Sequence, residues 1–164
     1  MIFDLLAFTL IHVVLSIIGI IAGLVVTGGL MAGVRMRGWT GVFFVTTILA
    51  NVTGFGFPFA TVLPSHIVGA LSLLILAASV VAWYGKRLSG GWRSIFVVTA
   101  VAALYLNVFL LFAQLFAKVP AMIAIAPTQQ SPAFVVTNLI VLALFIILGR
   151  AAVKGFRAER NPGR

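Results

Sequence analysis

The chain has 164 residues, of which 63% are hydrophobic and 8% are charged, and its mean hydropathy is +1.26. A soluble domain carries roughly 25% charged residues, so this composition excludes a water-soluble globular protein and indicates a multi-pass membrane protein. The net charge is +9, but the Lys and Arg residues stand at the ends of apolar runs instead of along one face. That pattern is typical of membrane topology charges and not of a nucleic-acid partner. No cysteine is present, which excludes disulfide bonds, thiolate metal sites and cysteine nucleophiles.

The first uncharged run extends from 5 to 34 and ends at Arg35. About twenty helical residues cross a ~30 Å hydrocarbon core, so the run predicts a transmembrane helix at 5–30, and the absence of a basic region before it predicts that it is not a cleaved signal peptide. Glycine and serine let helices approach closely, and histidine in contact with lipid is costly. We therefore expect the other helices to pack against one face of this helix. That face carries His12, Ser16, Gly19, Gly23 and Thr27.

The next uncharged run, 38–85, is divided by two prolines. Its 48 residues exceed what one crossing needs, and Pro58 and Pro64 each remove a backbone donor and resist a continuous helix. The run therefore predicts two helices, at 40–57 and 65–84, which are joined by a tight turn at 58–65.

The remaining elements follow a basic turn at 86–93. A fourth helix is predicted at 94–117, and a fifth begins at Pro132, a residue suited to a first helical turn. The connector at 121–131 is too short to cross, and it either lies in the outer interface or dips back toward the bundle. A basic cytoplasmic tail occupies 153–164. The sequence thus predicts a single-domain, all-α integral membrane protein, a bundle of five transmembrane helices at 5–30, 40–57, 65–84, 94–117 and 132–152.

The distribution of cations predicts the orientation of these helices. With the N-terminus outside and the C-terminus cytoplasmic, ten of the eleven Lys and Arg residues fall on the cytoplasmic side, as expected for a bacterial inner (plasma) membrane protein. Near the C-terminus, Arg150, Lys154 and Arg157 recur at helical spacing, and we expect them to lie at anionic lipid headgroups. The alternative is a solvated, partly disordered end. The ten cytoplasmic residues are Arg35, Arg37, Lys86, Arg87, Arg93, Arg150, Lys154, Arg157, Arg160 and Arg164.

Candidate functional residues are polar but uncharged. The two acidic residues, Asp4 and Glu159, stand near the chain ends, so a proton relay built on membrane carboxylates is not expected. When depth is counted at ~1.5 Å per residue, six amides and imidazoles fall in the outer half of the bundle or near its midplane. They predict a ligand-binding pocket that is open to the outer side, with the alternative that they simply tie neighbouring helices together. These residues are His12, Asn51, His66, Asn107, Gln114 and Asn138.

Glycine and phenylalanine alternate at 54–59. This alternation predicts a locally open backbone, and Phe55, Phe57 and Phe59 are expected to line the pocket and to grip an apolar ring such as a quinone head. The alternative is that they anchor the end of a helix at the membrane interface.

The two histidines also invite a haem hypothesis. Two imidazoles on neighbouring helices can hold a b-type haem, but His12 and His66 differ by ~8–10 Å in depth, which favours His12 as a buried, hydrogen-bonded residue. Two histidines without carboxylate or thiolate partners fall short of a zinc site.

Three functions are compatible with these patterns. The first is a non-enzymatic accessory or assembly subunit whose outer pocket binds a small or lipidic ligand. The second is a redox component that binds haem or quinone near His12 and His66. The third is a small solute permease that acts as an oligomer. The expected partners are the lipid bilayer and either another membrane protein or further copies of the chain.

Overall fold

The computed structural model of the chain describes residues 2–57 and 64–158. Within these two ranges the secondary structure is helical, without a strand. The predicted turn at 58–65 lies largely outside the described residues, as do the pocket residue Phe59 and the tail end at 159–164. The helices are α1 (Ile2–Met31), α2 (Arg37–Gly54), α3 (Pro64–Val80) with a π-helical continuation (Val81–Gly85), α4 (Trp92–Lys118), a short α5 (Pro120–Ile125) and α6 (Pro132–Ala158).

Four of these helices are long and apolar enough to cross a membrane. The remaining long helix, α2, is less apolar because its 18 residues include Arg37, four threonines and Asn51. The fold is therefore that of a helical membrane protein, with four helices that meet the length and hydropathy of a membrane span where the sequence predicts five. The four segments are Leu5–Met31, Ser65–Gly85, Trp92–Lys118 and Pro132–Arg157.

Helix α2, the connector and helix α6 differ from the predicted bounds. Helix α2 ends at Gly54 and not at Phe57, since the last amides bond carbonyls three residues back, which tightens the final turn. The connector contains α5, because Val119 is extended, as the residue before a proline prefers, and Pro120 then opens a helical turn. Helix α6 continues from the predicted end at 152 to Ala158.

Helix α1 lies against α2, α4 and α6, and α3 packs against α2 and α4. The close approach of α1 to α2 and α4 depends on Gly23 of α1. A Cβ atom at this position would lie 2.6 Å from Leu104 Cδ1 and 2.9 Å from Phe43 Cε2. Such distances are far below van der Waals contact, so the missing side chain lets α2 and α4 close onto α1.

Cationic side chains gather at the end of the bundle where α1 ends, α4 begins and α6 ends. The centre of this end is Phe156, which is fully buried. The Arg93 guanidinium lies 4.7 Å from the Phe156 ring centroid and donates to the Phe156 carbonyl at 2.9 Å, and Arg35 lies 5.8 Å from the same ring. We refer to this region as the basic end. Its described cations are Arg35, Arg37, Lys86, Arg87, Arg93, Arg150, Lys154 and Arg157.

A close backbone approach between α6 and the end of α1 leads to a test of this packing. A methyl group at Gly155 would overlap the backbone carbonyl oxygen of Met31, whereas one at Gly149 would make an ordinary 3.5 Å contact with Val101. We therefore expect Gly155→Ala to lower the free energy of unfolding by about 1–3 kcal/mol, the usual cost of overpacking. Gly149→Ala, on the same helix, should leave it unchanged or slightly raised. Unfolding in mixed micelles measures both, and equal stability of the two variants would contradict the packing described here.

Candidate functional site

Hydrogen bonds between side chains join α2 to two other helices in the interior of the bundle. The Asn107 amide donates to Thr47 Oγ1 at 3.3 Å, and the Asn51 amide donates to Ser72 Oγ at 3.3 Å and to the Thr47 carbonyl at 2.8 Å. None of these four side chains is more than 7% exposed. We call Thr47, Asn51, Ser72 and Asn107 the polar node. Through it α2 is bonded to both α3 and α4.

The spacing of the sequence explains why the polar node forms. Thr47 and Asn51 are four residues apart and thus share one face of α2. Helix α1 closes over that face at Gly19, where a Cβ atom would lie 3.0 Å from Thr47 Oγ1 and 3.6 Å from the Asn107 amide nitrogen. Four helices therefore meet at one level, and α1 contributes backbone where the others contribute polar side chains.

The first histidine is held by the end of α2. His12 Nδ1 lies 3.0 Å from Thr53 Oγ1, and the Thr53 hydroxyl itself donates to the Leu49 carbonyl at 2.8 Å. A hydroxyl has one proton, so a Thr53 that donates to Leu49 can only accept from His12, and this pattern assigns the ring proton to Nδ1. In the neutral imidazole Nε2 is then left as a hydrogen-bond acceptor.

Aromatic rings surround this histidine. The Phe57 ring meets His12 edge-on, with centroids 5.3 Å apart, and it meets Phe8 in the same manner at 5.0 Å. The three rings form what we call the aromatic cluster, which lies at the opposite end of α1 from Arg35. Sequence reasoning missed Phe8, although it lies four residues before His12 and so shares its face of α1.

The second histidine belongs to a different group. The His66 ring lies 5.6 Å from the Phe55 ring, and Phe55 in turn packs over Gly69 of α3. Thr53 and Phe55 are two residues apart and therefore about 200° apart around α2. The two imidazoles thus approach the end of α2 from different sides.

Two further predicted residues lie outside the polar node. Asn138 is buried and donates to the Phe134 carbonyl of its own helix at 2.9 Å, and its Oδ1 has no hydrogen-bond partner among the described residues. Gln114 is exposed on α4. The structure therefore brings Asn51 and Asn107 together, pairs His12 with Thr53 and His66 with Phe55, and leaves Asn138 and Gln114 apart.

Three interhelical partners, Thr47, Ser72 and Thr53, were not among the predicted site residues. Serine and threonine are common in membrane helices, where their hydroxyls usually bond the backbone of their own helix. The residue type alone therefore does not predict which hydroxyl bonds a neighbouring helix. The useful signal is position. Thr53 follows Asn51 by two residues and so faces the neighbouring helix on the other side of α2.

The polar node can be tested by a double-mutant cycle. Asn107→Leu and Thr47→Val each remove one partner of the same hydrogen bond without much change in volume. We expect a coupling free energy of about 0.6 kcal/mol, the average for hydrogen bonds between membrane helices, and a loss of no more than ~1–2 kcal/mol for Asn107→Leu alone.

Thr99→Val provides the control for this cycle, because Thr99 Oγ1 bonds carbonyls of its own helix. Its effect should be additive with that of Asn107→Leu. If the effects of Asn107→Leu and Thr47→Val were as additive as those of Asn107→Leu and Thr99→Val, the bond between Asn107 and Thr47 would be refuted.

The polar side chains thus form a node in the bundle interior and a separate cluster of rings around His12. Among the described residues, no three His, Asp or Glu side chains come together as metal ligands would. Comparisons with protein-family models, with curated proteins and with solved structures give no match.

Proposed function

We propose that the chain is a non-enzymatic accessory or assembly subunit of a bacterial inner membrane, and that it binds a small or lipidic ligand beside His12. The observation that carries this proposal is the pairing of its polar side chains with one another. The amides of Asn51 and Asn107 bond Ser72 and Thr47, and His12 bonds Thr53, so these groups organise helices. Binding by a rigid bundle is therefore better supported than catalysis.

The distribution of side chains around α2 supports a fifth membrane crossing. Its polar residues face the other helices and its surface is apolar, which is the arrangement expected of a helix in lipid. Eighteen residues span ~27 Å, close to the ~30 Å of a hydrocarbon core. The low hydropathy of α2 thus comes from Arg37 at its first position and from the threonines and Asn51 of its buried face. Buried are Thr40, Thr46, Thr47 and Asn51, and exposed are Val42, Val45, Leu49 and Val52.

Three of the four threonine hydroxyls of α2 donate to nearby carbonyls, and the fourth, Thr47, accepts from Asn107. Thr40 and Thr46 donate to carbonyls four residues back at 2.8 and 2.7 Å, and Thr53 does the same. A hydroxyl that is satisfied in this way costs little in a bilayer, because no polar group is left without a partner. Four threonines are therefore compatible with a membrane-spanning α2.

Five crossings give the orientation that the cations favour. The basic end then lies in the cytoplasm with the C-terminus, and the N-terminus and the aromatic cluster lie outside. Lys118, at the far end of α4, is the single Lys or Arg of the sequence on the outer side.

The aromatic cluster suggests what kind of ligand the chain binds. Phe8 and Phe57 offer ring surfaces to an apolar group, and Nε2 of a neutral His12 accepts a hydrogen bond. A ligand with an apolar ring and a hydroxyl donor, such as a quinol, fits this combination. A haem between His12 and His66 is disfavoured, because the two imidazoles attach to different sides of α2.

The topology can be tested with single cysteines, since the native chain has none. Gly38 is exposed at the start of α2, Ser89 is exposed after the π-helical continuation of α3, and Gln129 is exposed between α5 and α6. If α2 crosses, Gly38→Cys and Ser89→Cys lie on one side of the membrane and Gln129→Cys on the other. A membrane-impermeant maleimide should therefore label Gln129→Cys in intact cells and label the other two after permeabilisation.

The alternative outcomes are distinct. Labelling of Gly38→Cys and Ser89→Cys from opposite sides would mean that α2 does not cross. Labelling of both from outside would keep the five crossings and reverse the orientation.

Ligand binding can be tested with a short-chain benzoquinol and the purified full-length protein. We expect His12→Ala to weaken binding about fivefold, the usual effect of one hydrogen bond, and His66→Ala to leave it unchanged. A reduced-minus-oxidised absorption spectrum provides the second readout. Equal losses in the two variants would contradict the role given to His12, and a Soret band that disappears in His12→Ala would favour the haem hypothesis instead.

A further inference from the structure

A groove runs along the surface between α4 and α6, in the half of the bundle nearer the basic end. Its volume of about 680 Å³ lies within the ~300–1,000 Å³ range of ligand sites. The groove is open to the membrane, since Val98 and Ile146 are exposed on its two walls. Its apolar walls include Val98, Val101, Ala102 and Tyr105 of α4 and Phe145 and Ile146 of α6.

Three cations line the same groove. Arg150, Lys154 and Arg157 are spaced four and three residues apart, so they share one face of α6, and all three side chains are exposed. Arg157 is fixed across the groove by α4, because its Nε and Nη2 donate to Ser94 Oγ at 3.2 and 3.0 Å. No carboxylate is among the described residues that line this groove. The positive charge there is therefore not neutralised by the groove itself.

The length of α6 sets the depth of these charges. The apolar segment Pro132–Arg157 has 26 residues and spans ~39 Å, which exceeds a ~30 Å hydrocarbon core by about six residues. With the hydrocarbon core beginning at Pro132, Lys154 and Arg157 would fall in the headgroup layer, and Arg150 near its boundary with the hydrocarbon. The apolar walls extend from there into the hydrocarbon core.

We propose that this groove binds one anionic phospholipid from the leaflet at the basic end. An acyl chain lies along Val98, Ala102 and Ile146, and the phosphate lies among the three cations of α6. Basic pockets between membrane helices select anionic headgroups, because each Lys or Arg near the surface attracts them. This site is separate from the aromatic cluster and does not depend on the function proposed for it.

Lipid titration of the detergent-solubilised full-length protein, followed by native mass spectrometry, tests the proposal. Phosphatidylglycerol should bind more tightly than phosphatidylcholine with the same acyl chains. The triple variant Arg150→Gln, Lys154→Gln, Arg157→Gln should bind phosphatidylglycerol about a hundredfold more weakly, since three cations are lost.

A matched triple variant separates the groove from general attraction to the basic end. Arg37→Gln, Lys86→Gln, Arg87→Gln removes the same charge from exposed positions at the same end, outside the groove. We expect it to change phosphatidylglycerol binding less than threefold. Equal losses in the two triple variants would overturn the proposal.

A third variant tests the place of the acyl chain without a change in charge. Ala102→Phe fills the groove and should weaken phosphatidylglycerol binding at least tenfold, and this result decides the matter if the groove triple variant fails to fold. Inorganic phosphate at millimolar concentration should not displace the lipid. If Ala102→Phe bound phosphatidylglycerol as tightly as the wild type, the acyl chain would not lie in the groove. If inorganic phosphate displaced the lipid, the site would bind a free anion. Either result contradicts the proposal.

Discussion

The structure depends on the pairing of polar side chains in the bundle interior, because a polar group in a bilayer is costly without a partner. Thr47 is the centre of this constraint, because its hydroxyl receives the Asn107 amide and its carbonyl receives the Asn51 amide. Each bond of this kind contributes only ~0.6 kcal/mol on average. A helix that lost these partners would nevertheless expose amides to hydrocarbon, at a cost of several kcal/mol for each group. The pairing therefore fixes which face of α2 turns inward, and the rest of the bundle follows.

The two ends of the bundle have different chemistry as a result. At the basic end, guanidinium groups stack on Phe156, and eight Lys and Arg residues of the described chain are concentrated there. At the far end, the rings of Phe8, His12 and Phe57 provide an apolar surface with one polar acceptor. The first arrangement suits anchoring and recognition of an anionic lipid, and the second suits a ligand with an apolar ring. Neither requires an acid–base pair, and the sequence contains only two carboxylate side chains.

The helical architecture could be predicted from the sequence because it follows from uncharged runs and from the residues that interrupt them. Helices occur in all five predicted segments, and Gly19 and Gly23 of α1 do face α2 and α4. The sequence predicts a crossing at 40–57, but α2 falls below the hydropathy of the four candidate spans, because Arg37, four threonines and Asn51 lower its average. The periodicity of polar residues within α2 carries more information than their number.

The candidate site was less predictable, since depth along a helix does not determine the direction of a side chain. Asn51 and Asn107 have a similar predicted depth and do meet in the polar node, whereas His12, at the same predicted depth, bonds Thr53 instead. Gln114 lies about two turns beyond Asn107 on the same face of α4 and is exposed. Partners such as Ser72 are set by the rotation of one helix against another, which depends on packing over its whole length. The groove between α4 and α6 depends on the same packing and has no motif in the sequence.

Spin labels on the outer face of α2 test the central constraint most directly. Val45 and Leu49 are exposed on this helix, on the side away from Thr47 and Asn51. In lipid vesicles we expect labels at both positions to be readily accessible to oxygen and poorly accessible to a water-soluble nickel chelate, as for side chains that face hydrocarbon. High accessibility to the nickel chelate at both positions would place α2 in water and would contradict a polar node inside the membrane.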